Sequence, residues 1–131
     1  MSDSSNINTI LLAEDDKDDR ELFCEALTNI SAHTTIHYAE NGIEVLNKLE
    51  ELTTSPDMIF LDINMPVMNG WQCLKTLKED NRYKNIPIVV YSSSSHQREK
   101  DIARDMGALL FFTKPNDFYQ FMEKLGSIIN S

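Results

Sequence analysis

Five short apolar runs, interleaved with amphipathic stretches, constrain the fold of this chain more than any other feature. The runs are Thr9 to Ala13, Thr35 to Tyr38, Met58 to Leu61, Ile88 to Tyr91 and Leu109 to Phe112. Each is continuous rather than alternating, the pattern of a strand buried on both faces. Between them, apolar residues recur with a period near that of a helix. They are Leu22, Phe23, Ala26, Leu27 and Ile30; Ile43, Leu46 and Leu49; Leu74 and Leu77; Ile102, Ala103 and Met106; and Phe118, Phe121, Met122, Leu125 and Ile129. Local signals bound these helices. Asp16 is expected to cap the first, and the third follows the Asn69-Gly70 turn. Ser94 with Gln97 fits a capping box for the fourth, which Gly107 ends.

Strand–helix units in this alternation predict an α/β protein with a parallel sheet covered on both faces. Right-handed crossovers and the count of five strands favour a flavodoxin-like (βα)5 three-layer sandwich, strand order 2-1-3-4-5. In such a sheet, ligands bind at the carboxyl ends of the strands, at the switch point between strands 1 and 3. The residues that follow the apolar runs are therefore the candidates for function. They are Glu14-Asp15-Asp16, Asp62-Ile63-Asn64-Met65-Pro66, Ser92 to Ser95, and Thr113-Lys114-Pro115.

Each group has an ordinary explanation alone: a helix cap, a loop, an exposed lysine. Together, on one rim, their acids would repel and raise one another's pKa unless a cation intervened. A hard divalent ion with oxygen ligands, such as Mg²⁺, is the natural remedy. Glu14, Asp15 and Asp62 against Mg²⁺ and Lys114 give a near-neutral resting site. A phosphoryl group on Asp62 would add about one negative charge to it.

Composition narrows the partners. The net charge of −9 disfavours direct nucleic-acid binding. No apolar run approaches the roughly 20 residues that span a bilayer, and the polar start MSDSSN does not resemble a signal peptide. Membrane insertion is not expected, and a cytoplasmic location is. Cys24 and Cys73 fall on helical stretches and are expected to be reduced thiols. With the dispersed His33, His37 and His96 they make no zinc site.

The strings ILLAEDD, MIFLDINMPVMNG, IPIVVYSSSS and GALLFFTKPND, in this order and spacing, closely resemble the response-regulator receiver family. The resemblance runs from about Thr9 to Ile129 and implies a two-component phosphorelay switch. It implies that Asp62 is the phosphoacceptor and that Asp15 ligates Mg²⁺ directly, with Glu14 acting through water. Asn64 would add its backbone carbonyl. Lys114 would pair with the phosphoryl group, and Ser92 would be the switch hydroxyl coupled to the switch aromatic, Phe111. Asn64 and Ser94 would lie near the path of hydrolytic water, and the Lys114–Pro115 bond would commonly be cis. The implied donor is a sensor histidine kinase or a histidine phosphotransfer protein. The output would be an unknown downstream protein, with the chain a monomer or a phosphorylation-favoured homodimer. A single receiver domain over residues 1–131, core about 9–129, is expected, with no output domain and no enzymatic activity beyond its own phosphotransfer and dephosphorylation.

Other readings fit less well. A haloacid-dehalogenase-type phosphatase needs an acid where Asn64 stands. An FMN carrier would be repelled by Glu14-Asp15-Asp16. A pseudo-receiver, binding partners without phosphorylation, would usually lack Asp62, Lys114 or the acidic pair.

Overall fold

A computed structural model describes residues 7–130. The start MSDSSN and Ser131, on which the expectations about a leader and the chain end rest, lie outside the described residues. Strands and helices alternate as β1 (Thr9–Ala13), α1 (Lys17–Ile30), β2 (Thr35–Ala39), α2 (Gly42–Glu51) and β3 (Met58–Asp62). Then follow α3 (Gly70–Glu79), β4 (Ile88–Ser92), α4 (Gln97–Asp105), β5 (Leu110–Thr113) and α5 (Phe118–Ile129). All strand pairs are parallel, in the order β2-β1-β3-β4-β5.

The pattern of continuous apolar runs holds fully only at the centre. Every residue of β3 and β4 is buried, and β1 is buried from Ile10 onward. The edge strands differ: β2 buries only Ala39 and β5 only Phe112. An edge strand has one neighbour and less cover, so its apolar run is needed on one side only. At the amino end of the sheet Asp57 ties β1 to β3. Its carboxylate accepts from the N–H groups of Asn8 and Thr9, at 2.8 and 3.0 Å. Its own N–H donates to the Thr9 carbonyl at 2.8 Å.

Alternating strand residues feed two cores. One, under α1 and α5, holds Ile10, Leu12, Phe23, Phe60, Tyr91, Phe112 and Phe121; the other, under α2 to α4, holds Leu11, Ile59, Leu61, Leu74, Leu77, Val90 and Ala103.

The helix signals are partly borne out. Asp16 caps α1 through Asp19 N, and Gly107 takes the left-handed φ of +94° beyond α4. The capping box sits elsewhere: Asn69 and Gln72 form it at the start of α3. Ser94 is not a cap, because α4 begins only at Gln97 and its N-cap position is His96, which makes no side-chain cap hydrogen bond. The Ser94 hydroxyl instead accepts from His96 N at 3.2 Å. The inward face of α2 is Gly42, Val45 and Leu49, and Ile43 points outward. Gly42 must be small because its N–H donates to the Met68 carbonyl at 2.9 Å, while an added Cβ would fall 2.5 Å from Met68 Cγ. Among the described residues no helix is long and apolar enough to cross a membrane.

Candidate functional site

The carboxyl ends of β1, β3 and β4 and the turn after β5 enclose an open cleft of about 560 Å³, lined by Glu14, Asp15, Asp16, Asp19, Asp62, Asn64, Ser93 and Lys114 among others. Parallel pairing produces it: Ala13 lies beside Leu61, Asp62 beside Tyr91 and Ser92 beside Thr113, so the residues that follow share one rim.

Asp62 is the last residue of β3 and is 5% exposed. Both its oxygens are engaged: Oδ1 accepts from Asn64 N at 2.8 Å and Oδ2 from Lys114 Nζ at 3.0 Å. Behind it, Gly70 opens α3 so close that a Cβ there would lie 2.4 Å from the Asp62 carbonyl oxygen. The strand end and the helix start are thus fixed together.

Glu14 is buried at 1% exposure and Asp15 is exposed. One Glu14 oxygen accepts from Lys114 Nζ at 2.8 Å and the other from Asp16 N at 3.2 Å. Burial first, then the neighbouring Asp62, pushes the Glu14 carboxyl up to about 8, against the opposing pull of Lys114. Burial also works against the Lys114 charge, but the hydrogen bond to Glu14 and the charges of Asp62 and Glu14 outweigh it and hold its pKa above the ordinary lysine value. The ammonium lies 4.4 Å from the ring centroid of Tyr91, which seats it from within the core.

Glu14, Asp15 and Asp62 each offer a carboxylate oxygen, and these lie within 4.8 Å of one another. An all-oxygen set of this charge and spacing fits one hard divalent cation.

The charge count and the Lys114–Pro115 isomer need adjustment, and Ser92 and Phe111 take definite places. Asp19, from the first turn of α1, also reaches Lys114 Nζ, at 3.1 Å, so the lysine faces a further carboxylate that the charge count left out. Ser92 is fully buried and its hydroxyl accepts from Ser94 N at 3.0 Å; Ser93 lines the cleft in its place. Phe111 stands outside the cleft, half-buried, in a groove with Lys100, Arg104 and Leu110. The Lys114–Pro115 bond is trans. The two isomers of such a bond differ by only about 0.5–1 kcal/mol, so surroundings decide, and in this isomer the lysine reaches all its partners. Nothing in the sequence marked Asp19, one acid among several that follow β1, or Tyr91, the end of an apolar run.

Known proteins share this sequence pattern and fold. The sequence model described as "Response regulator receiver domain" matches residues 10–126, and the chain belongs to that family. The polar-differentiation response regulator DivK of Brucella anthropi is 27% identical over 121 residues, covering 92% of this chain and 95% of DivK. A protein-glutamate methylesterase/protein-glutamine glutaminase of Bacillus subtilis is 33% identical over 123 residues, 88% of this chain. The chain spans about a third of that relative's length. Among solved structures, the phosphorylated cyanobacterial phytochrome response regulator RcpA superposes with a TM-score of 0.84 at 29% identity, covering 93% of this chain and 91% of RcpA. The chain is thus similar to two-component signalling switches.

Proposed function

We propose that this domain is a phosphorylation switch: Asp62 takes a phosphoryl group from a phosphohistidine, and the resulting change controls a partner protein. The observation that carries the reading is the contact of Asp62 with Lys114 beside the Glu14 and Asp15 carboxylates, at the carboxyl ends of adjacent central strands. Asp15, Asp62 and the backbone carbonyl of Asn64 are the candidates to hold Mg²⁺, with Glu14 acting through water. When bound, the ion would offset negative charge on the transferring group.

The chain's residues perform the rest. An Asp62 oxygen attacks phosphorus and forms the acyl phosphate. The phosphorus–nitrogen bond breaks, and its electron pair leaves on the imidazole. Lys114 hydrogen-bonds the transferred oxygens. Asn64 N holds the second carboxylate oxygen and so orients the attack. The Ser92 hydroxyl accepts from Ser94 N, which leaves its single donor for a phosphoryl oxygen once the end of β4 moves inward. Phe111 on the neighbouring strand would then turn toward the space opened. The donor is a sensor histidine kinase or a histidine phosphotransfer protein in the cytoplasm. The state is read by a downstream protein or by a second copy of this chain.

The test is incubation with phosphoramidate and Mg²⁺, followed by intact-mass measurement. One phosphoryl group is expected on wild type and none on Asp62→Asn. Uptake by Asp62→Asn at the wild-type rate would overturn the assignment.

A further inference from the structure

A lysine ammonium has three N–H donors and no acceptor. In this molecule Lys114 spends them on Glu14 at 2.8 Å, Asp62 at 3.0 Å and Asp19 at 3.1 Å. No donor is left over. A phosphoryl group on Asp62 presents new acceptor oxygens and about one further negative charge. For Lys114 to reach it, a present bond must open.

The partners are unequal. The Glu14 side chain is 1% exposed, and losing the lysine would leave a buried oxygen without its hydrogen-bond donor. Asp62 is the reacting group. The Asp19 side chain is 40% exposed and stands in the first turn of α1, where water and the helix dipole both favour a carboxylate. Its release costs least. The backbone there is held independently, because Asp19 N donates to the capping Asp16 carboxylate at 3.0 Å. Release therefore turns a side chain and leaves the helix start in place.

We propose that Asp19 is a positioning residue, the partner that holds Lys114 in its resting seat and surrenders it when Asp62 is phosphorylated. The proposal rests on the phosphoacceptor reading above. Asp19 then competes with the phosphoryl group for the same ammonium and weakens every anion that occupies the phosphoryl position.

The experiment is titration of the full chain with beryllofluoride at fixed Mg²⁺, with Lys114 Nζ followed by NMR. Asp19→Asn should bind the anion roughly three- to fivefold more tightly than wild type, the scale of a partly exposed ion pair. Asp19→Glu, which keeps the charge, should return toward the wild-type affinity. The Lys114 signal should shift in unliganded Asp19→Asn yet coincide with wild type once the anion is bound. Asp18→Asn makes the same charge change one residue away and should gain much less. Equal gains in Asp18→Asn and Asp19→Asn, or no gain in Asp19→Asn, would overturn the role of Asp19 alone. Failure of wild type to bind the anion or to take up a phosphoryl group would overturn the phosphoacceptor reading with it.

Discussion

On one face of the sheet Phe23, Phe60, Tyr91, Phe112 and Phe121 interlock, with ring centroids 5.0–6.5 Å apart and mostly edge to face. On the other, α4 buries Ala103 alone, leaves Ile102 37% exposed and lacks a side-chain cap. Helices α1, α2, α3 and α5 all have an Asp or Asn cap that is hydrogen-bonded. The aromatic face carries the parts that hold the site in place: Tyr91 under Lys114, and the α1 backbone from which the Asp19 side chain projects. The α4 face is lightly attached, and local opening concentrates where buried contacts are few. On the proposed reading, a change at Asp62 therefore has an easier path through α4 than through α1 and α5.

Substitutions can break or sharpen this contrast. The largest effect is expected at Phe60, which touches several rings: Phe60→Ala should lower unfolding free energy by about 3–5 kcal/mol. Ile102→Ala on α4 should cost under about 1 kcal/mol, both measured by urea denaturation. Similar costs would erase the distinction. Native-state hydrogen exchange gives the next measure. Amides of α4 should exchange roughly thirtyfold or more faster than those in the middle of α1, through opening that does not unfold the domain.

A smaller effect is expected at Val67, in the loop before α3. It is 82% exposed and holds a φ of 64°, with Met68 N donating to the Pro66 carbonyl at 2.7 Å. A branched residue is a poor choice for that backbone. Val67→Gly should stabilise the protein by about 1 kcal/mol, and a loss of stability would show that the valine makes a contact that matters. The smallest is a repair of α4 itself: His96→Asp supplies the missing cap and should add roughly 0.5–1 kcal/mol. It should also slow α4 exchange, narrowing the gap between the faces.

Much of this was legible from the residues. The strand runs and their order were readable because continuous burial leaves little ambiguity at β3 and β4, and the order then carried Glu14, Asp62 and Lys114 to one rim. What escaped depends on local backbone path. Ser94 and Gln97 fit a capping template that the later helix start, after His96, overrides. Ile43 kept the helical period of α2 but on the wrong face, since the close approach of Gly42 to Met68 sets the rotation of that helix. Asp19 lay in a run of acids that reads as solvated, and only the side-chain geometry separates it from Asp18. Of these, the pairing of Asp19 with Lys114 bears most on the chemistry.

The seam between β1 and β3 divides the cleft's parts by origin. Glu14, Asp15 and Asp19 come from the chain before the exposed residues Thr53, Thr54 and Ser55, and Asp62, Ser92 and Lys114 from the chain after them. Neither stretch holds both Asp62 and its acidic neighbours. If Asp62 is the acceptor proposed above and the chain were severed at that exposed segment, phosphoryl uptake would become a reporter of reunion, silent in either fragment and restored only where two separate polypeptides rebuild the seam.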